Sequence, residues 1–502
     1  MGSVHMNAQS WMPLLVLASS LVPGLIIFSL GEKQRQLRTV LNMTGAVVKL
    51  MLVAAMILGV AHGEFYEWRL QLLPGLDLLL GIDALSLLFI TLSAVLWFFT
   101  TVYAIGYLEG SPHRSRFFGF FSLCVCATAG IALAGNLLTF FLFYELLTLA
   151  TYPLVVHRGT PEALRAGRVY LAYTIMGGAL LLAGTVWLYA LAGPVEFTHT
   201  GTLRQIVAAD HGKLMLIFAL LVGGLGVKAA LVPLHGWLPV AMVAPAPVSA
   251  LLHAVAVVKV GAFGIARVVY DVYEIEFAAE LGLLGPLAAV ASVTILYGSL
   301  RALMQDDLKK RLAYSTVSQV SYIVLGVALL GPIAAIGGLV HLVHQGLMKV
   351  TLFFCAGNLA ETLGIHKVSE MNGVGRRMPL TMAAFTVSAL GMIGVPPMAG
   401  FISKWYLGLG ALEADAPWAV AVIIASSLLN AAYFLPIIYA AWFKESAVDW
   451  PATAASRLET SWLLLLPPLF TAACVVAVGI GASVPYSPLL WATFISRLEF
   501  GP

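Results

Sequence analysis

Four lysines, Lys228, Lys259, Lys349 and Lys404, lie inside stretches otherwise apolar enough for a lipid bilayer, and four more proton-binding side chains, Glu145, His253, His341 and His344, share that setting. An ammonium at bilayer depth costs at least ~2.5–3.5 kcal/mol, so a chain that keeps several there has a use for them. Carrying protons or cations is the chemistry these residue types perform. The densest stretch, Gly223 to Tyr270, holds Lys228, His235, His253 and Lys259 with prolines at 233, 239, 245 and 247. Proline interrupts a membrane helix and frees backbone carbonyls, which is tolerated only where protein or water re-satisfies them. The stretch therefore predicts internal water beside titratable groups.

Glu145 is the only acidic residue in LTFFLFYELLTLATYPL. Burial disfavours a carboxylate and a nearby cation restores it, so Glu145 needs a basic partner, for which Lys228 is the candidate. A pair that opens and closes would switch the lysine's proton, whereas a static buried pair would only set helix register. In IGGLVHLVHQGLMKVTLFFCAGNLAE, His341, Gln345 and Lys349 follow at four-residue steps and share one helix face, with His344 on the flank. Such a row can hold a water chain, and histidine titrates nearest neutrality. A metal reading of His341 and His344 has two ligands and lacks the glutamate of a zincin motif. His253 and Lys259, six apart, face different neighbours, and His253 alone also reads as a satisfied core histidine. Lys404 follows a break at Pro396 and Pro397. From Glu145 to Lys404 the ionisable groups occupy at least five apolar runs, which suits a lateral path at mid-membrane depth better than a compact site. Lys49 and Arg267 lie within reach of run ends and are expected to snorkel. Asp306, Asp307, Lys309, Lys310 and Arg311 are expected as solvated loop anchors, and Asp77 and Asp83 as entrance groups or helix caps.

The elements that must position these groups are helices in a bilayer. Of 502 residues, 60% are hydrophobic and 10% charged, against roughly a quarter charged in soluble domains. The fold expected is an all-α polytopic membrane protein of about fourteen spans, at 11–30, 38–61, 82–108, 115–134, 137–156, 164–193, 213–241, 246–271, 278–303, 309–331, 333–363, 379–410, 416–443 and 460–482. The intervals leave no room for a soluble catalytic domain. Cys124, Cys126, Cys355 and Cys474 fall in apolar runs without metal-ligand spacing and are expected as core residues, and a net charge of +3 with dispersed basic residues speaks against nucleic acid. The N-terminus has no basic signal-peptide region, so the first run is expected to be a retained helix. Seventeen interval lysines and arginines, Arg457 among them, fall on the side of the first loop, and only Arg69, Arg204, Lys213 and Arg497 on the other. The positive-inside rule makes the crowded side cytoplasmic and puts both termini outside.

Lys228 and Lys404, 176 residues apart, each sit in a proline-broken run. Five spans per half is an odd number, so consecutive copies must be inverted across the membrane. The expected units are 1–114 (three helices), 115–276 and 277–443 (inverted five-helix repeats) and 444–502 (last helix and tail). The segments VKAALVPLHGWLPVAMVAPAPVSALLHAVAVVKVGAFG, DDLKKRLAYSTVSQVSY, HLVHQGLMKVTLFFCAG and GVPPMAGFISKW together resemble the antiporter-like subunits shared by respiratory complex I, membrane-bound hydrogenases and Mrp-type cation/proton antiporters. That resemblance implies fourteen helices, two inverted five-helix repeats and broken seventh and twelfth helices. By motif, Glu145 looks like the family's fifth-helix glutamate, Lys228 its seventh-helix lysine, Lys259 and His253 its eighth-helix groups, Lys349 its eleventh-helix lysine and Lys404 its twelfth-helix lysine. Gln345 departs from the pattern, since many members have histidine there.

The resemblance is greatest to the D-type member of Mrp antiporters, which implies a proton-translocating subunit of a multi-subunit Na+/H+ antiporter, with neighbouring membrane subunits, protons, Na+ and lipid as partners and no cofactor, in a bacterial or archaeal inner membrane. The alternative is a proton-pumping subunit of a complex I-like or hydrogenase assembly. A purely structural scaffold would let the deep ionisable residues be replaced freely, and an enzyme with its own cofactor would need a nucleotide, haem or thiolate motif that the sequence lacks.

Overall fold

The computed structural model describes residues 8–197, 203–206, 211–446 and 459–501, and Arg457 lies outside them. Each expected span is met by a helix or a broken pair. The first six are α1 (Ala8–Phe28), α2 (Arg35–Ala61), α3 (Ala84–Tyr107), α4 (Arg114–Ala132), α5 (Leu137–Val155) and α6 (Pro161–Ala192). Then come α7 (His211–Lys228), α8 (Ala246–Val272, with two π-turns), α9 (Leu284–Leu303), α10 (Leu308–Ala328) and α11 (Pro332–Leu363). The broken twelfth span is α12 (Pro379–Ile393) with α13 (Ala399–Glu413), and α14 (Pro417–Phe443), α15 (Trp462–Ile480) and a short α16 (Pro488–Phe500) complete the order. Twelve of these helices are long and apolar enough to cross a membrane. The starts follow side-chain caps: Asp83, Asn136, Thr160 and Asp307 each accept an N–H from the first turn of α3, α5, α6 and α10. α8 and residues 334–359 of α11 are enclosed, while outer helices present large apolar side chains such as Leu428 and Phe443 outward, as a lipid surface requires.

The intervals sort onto two faces. On the first, the Glu32 carboxylate accepts from the Arg114 and Ser115 amides, Arg116 donates to the His157 carbonyl, Lys309 donates to the Ala244 carbonyl, and Asp306 accepts from Ser369. A Thr362 to Thr460 bond brings the start of α15 to that face. On the second, the interval after α2 forms an unexpected antiparallel hairpin, β1 (Glu67–Leu73) and β2 (Leu76–Gly81), turning at Pro74 and Gly75. It is tied to the α4–α5 and α6–α7 intervals through Gly135 N to Leu79 O and Phe197 N to Gly135 O, both 2.8 Å, and Arg69 pairs with Asp77 and Glu196. α16 lies there as well, with Trp491 Nε1 donating to the Ala84 carbonyl. The crowded basic intervals thus share one face, and the described chain begins and ends on the other.

The two breaks follow from local sequence. α7 stops at Lys228, and the chain turns through Ala230 in left-handed backbone (φ 57°) before Pro233. α8 packs directly on this break: a Cβ on Gly261 would lie 2.1 Å from Ala229 N, a space only glycine leaves. α12 ends on left-handed Gly394, with Val395 N closing back to the Leu390 carbonyl in a Schellman pattern.

Two snorkelling expectations fail. Lys49 and Arg267 do not snorkel, for each is only 1% exposed. Lys49 donates to Ser20 Oγ at 2.8 Å under the ring of Trp97, and Arg267 is bound by Asp83 and Asp271. Inward partners on other helices outcompeted the headgroups. Three cysteines are buried and Cys474 partly so.

Candidate functional site

Glu145 projects from α5 onto α6, where Gly178 makes room: a Cβ there would meet Glu145 Oε1 at 2.0 Å. That oxygen is buried without a hydrogen-bond partner. The expected Glu145–Lys228 ion pair is not closed, since among the described residues no carboxylate lies within 4 Å of Lys228. Instead the Lys228 ammonium donates to the Tyr144 carbonyl and lies 3.4 Å from the centre of the Tyr144 ring. Glu145 remains its electrostatic neighbour. Lys228 is thereby held at the last turn of the half-helix, where Trp237 Nε1 ties the continuing chain back to the Val227 carbonyl at 2.8 Å.

Lys259 sits near the middle of α8, and its Nζ donates to the Leu342 carbonyl of α11 at 2.7 Å. It is the electrostatic neighbour of His341, His344 and Lys349. Lys349 donates to the Leu312 carbonyl of α10 at 3.2 Å. His341 Nδ1 meets Ser403 Oγ of α13 at 2.8 Å. Both ring nitrogens of His344 and both polar atoms of Gln345, all buried, meet no partner with hydrogen-bond geometry. His253 is not a satisfied core histidine. It sits in a π-turn (Leu251–Val255), is stacked 4.5 Å from Phe353, and has neither nitrogen bonded.

Lys404 reaches back across the twelfth-span break. Its Nζ donates to the Met392 and Ile393 carbonyls at 2.9 and 2.8 Å and to Ser427 Oγ at 2.9 Å. The last carbonyls of a helix lack intrahelical donors and carry the negative end of its dipole, so an ammonium fits there. Seven of the eight expected residues are buried and Glu145 is partly so; Lys259, His341, His344, Lys349, His253 and Lys404 neighbour one another across α8, α11 and α13, whereas Lys228 turns to Tyr144 and Glu145 on α5.

Several contributors escaped the sequence reading. Lys309 is no solvated anchor: its Nζ enters the protein, 2.6 Å from the Ala244 carbonyl and 3.5 Å from Ser249 Oγ. It borders a cavity of about 240 Å³ on the basic face, shared with Arg158, Tyr107 and His366, and is an electrostatic neighbour of His253. The only sequence signal was that it lies in the first turn after the helix cap Asp307. Tyr322 stacks near His341 (5.2 Å) and lies under Lys404, and nothing in α10's composition marked it. Asp83 resolves both of its readings toward structure, capping α3 and gripping Arg267.

Residues 134–430 match the family described as NADH:quinone oxidoreductase/Mrp antiporter, TM, and residues 75–118 match the NADH-Ubiquinone oxidoreductase (complex I), chain 5 N-terminus. The chain is 39% identical over 415 residues to the N-type NADH-quinone oxidoreductase subunit of Desulforudis audaxviator, covering 80% of this chain and 81% of that one. It is 27% identical over 395 residues to the D-type Na(+)/H(+) antiporter subunit of Bacillus subtilis, covering 78% and 79%. In fold it matches a chain in the structure of the Mrp complex from Dietzia sp. DQ12-45-1b with a TM-score of 0.87 over 99% and 98% of the two chains, at 24% identity. These relatives are subunits of multi-subunit membrane assemblies. With the enclosed helices, the two breaks and the four motif segments in place, the chain belongs to the NADH:quinone oxidoreductase/Mrp antiporter family of polytopic, transporter-type membrane subunits.

Proposed function

We propose that this chain is the proton-translocating subunit of a multi-subunit Na+/H+ antiporter, in which protons pass along Glu145, Lys228, Lys259, His253, His341, His344, Lys349 and Lys404 with intervening water. One observation carries the reading. Four enclosed lysines on four helices are each held by backbone carbonyls and not by a carboxylate, beside histidines whose ring nitrogens are largely unbonded. A buried polar atom left unpaired costs ~1–3 kcal/mol, so the row calls for water. The cavity beside Lys309 supports access from the basic face by way of Ser249 and His253.

On this reading the basic face is cytoplasmic, both termini lie outside a bacterial or archaeal inner membrane, and 115–276 and 277–443 are inverted repeats that place Lys228 and Lys404 at matching breaks. The higher identity to an N-type oxidoreductase subunit favours a second reading, a proton-pumping subunit of a complex I-like assembly. Sodium- and proton-driven flux in vesicles holding the whole assembly separates the two: sodium-dependent flux without an electron donor supports the antiporter, and donor-dependent pumping supports the second. Under either, Lys404→Ala and Glu145→Gln abolish most of the flux, and wild-type flux in both variants would falsify the proton-row reading.

A further inference from the structure

α10 carries a polar stripe that the row does not use. Ser315, Ser318, Gln319 and Tyr322, at i, i+3, i+4 and i+7, share one helix face, and each is 0% exposed. α14 answers with Ser426, Asn430 and Tyr433, at i, i+4 and i+7 and equally enclosed. We infer that the contact of these two stripes is a water-holding branch that brings protons from the basic face to Lys404, independently of the cavity beside Lys309.

Nearer the basic face, Ser315 Oγ lies 2.8 Å from the Tyr433 hydroxyl, which donates to Asn430 Oδ1. Asn430 Nδ2 donates at 3.1 Å to the Met392 carbonyl, the same oxygen that accepts Lys404 Nζ at 2.9 Å. One turn deeper, Ser426 Oγ lies 3.0 Å from Ser299 Oγ of α9 and 3.4 Å from Ser318 Oγ, and the adjacent Ser427 Oγ accepts Lys404 Nζ at 2.9 Å. Serines between membrane helices are often packing glue alone, but glue is bonded. Here both polar atoms of the Gln319 amide and the Tyr322 hydroxyl, all enclosed, meet no partner among the described residues. Tyr322 follows Ser318 by one turn, and its ring centre lies 5.6 Å from Lys404 Nζ. Bare polar atoms in an enclosed polar seam call for bound water. Arg311 marks the outer end. Expected in solvent, it is 9% exposed, with Nε donating to the Gln305 carbonyl at 2.8 Å and a terminal nitrogen to the Tyr433 carbonyl at 3.0 Å. Two residues from Lys309, it points to nearly the opposite side of α10, and no residue lining the Lys309 cavity belongs to α9 or α14. From Arg311 to Tyr322 the stripe climbs ~16 Å at 1.5 Å per residue. A proton crosses as water bound among the hydroxyls takes it up, each hydroxyl passing its own proton on as it receives one. At the inner end Ser427 Oγ gives a proton to the neutral Lys404 amine, which becomes the ammonium that the Met392 and Ile393 carbonyls hold.

The role in proton delivery rests on the proposed function, but the bound water does not, and the test separates them. In the whole purified assembly, hydroxyl radicals generated by a brief X-ray pulse label side chains that touch water. Tyr322 and Tyr433 are expected to be labelled despite their enclosure, while Tyr103, equally enclosed and bonded to the Phe354 carbonyl at 3.0 Å, is not. No label on Tyr322 and Tyr433, or equal label on Tyr103, overturns the branch. In vesicles Tyr433→Phe and Ser315→Ala, each of which removes one hydroxyl and keeps the shape, are expected to lower flux at least ~threefold. Tyr433→Phe combined with Lys309→Met is expected to fall below either single variant. Ser292→Ala on α9, whose hydroxyl bonds only the Ala288 carbonyl of its own helix, is expected to transport like the wild type. Wild-type flux in both hydroxyl variants, or an equal loss in Ser292→Ala, overturns the delivery role, and a double variant no slower than Lys309→Met overturns its independence. If the wild-type assembly carries no flux at all, the proposed function fails and the labelling still decides the water.

Discussion

Replacing Gly261 by alanine tests whether the contact between α8 and the seventh-span break positions the row. The added Cβ would lie 2.1 Å from Ala229 N and 2.7 Å from both Ala229 Cα and the Lys228 carbonyl carbon. All three are backbone atoms, so no flexible side chain can yield, and α8 must retreat by about 1 Å. Overpacking of this kind costs ~1–3 kcal/mol, and backbone neighbours put it in the upper half. Alanine's better helix propensity returns ~0.8–1 kcal/mol. The net is ~1–2 kcal/mol of destabilisation. Two residues apart, Gly261 and Lys259 point to nearly opposite sides of α8, so the same retreat presses Lys259 toward α11 and distorts its bond to the Leu342 carbonyl, now 2.7 Å. A hydrogen bond to a charged group is worth ~1.5–3 kcal/mol, so flux limited by that step falls tenfold or more. The assay pairs thermal unfolding of the purified assembly with vesicle flux. The control is Gly285→Ala, an exposed position with nothing within 4 Å, expected to change neither by more than ~0.5 kcal/mol in stability terms. Gly261→Ala melting and transporting like the wild type would refute the steric argument.

Asp83→Asn leaves Arg267 enclosed with only part of its counter-charge, and breaking a buried pair costs ~3–5 kcal/mol, so the assembly is expected to unfold at a clearly lower temperature. An unchanged melting profile would show that Asp271 and Ser86 suffice. Lys309→Met removes the ammonium between the basic-face cavity and His253; flux should slow while assembly stays normal, and normal flux would place the access route elsewhere. Glu370, on the loop after α11, accepts the His366 and Lys367 amides, both at 3.0 Å, and these bonds hold its carboxyl below the usual range. Because its folded pKa is lowered, its contribution is present above the unfolded value of ~4.3 and is lost as pH falls through the folded one. Hydrogen exchange at those two amides should accelerate on acidification in the wild type and lose most of that pH dependence in Glu370→Gln.

Hydrophobic runs and prolines made the spans and both breaks readable one residue at a time, because a bilayer imposes the same length and polarity rule on every crossing helix. Lysine in an apolar run is likewise a one-dimensional signal, so all eight row residues could be named before any fold was known. The hairpin at 67–81 escaped notice because LQLL and LDLLL fall in an interval between spans without strand alternation, and their pairing across Pro74 and Gly75 is what satisfies their backbone.

Partner choice belonged to tertiary structure. Lys49 and Arg267 look like snorkelling residues by position, yet Ser20, 29 residues away, and Asp83, 184 residues away, turn them inward. Glu145 and Lys228, the obvious pair by charge, were kept from contact by a backbone carbonyl next door to the glutamate. Which residues are ionisable and how deep they lie is local information carried by the chain itself. Which of them meet depends on how distant helices pack, because a buried charge takes the nearest donor or acceptor that the assembled interior offers.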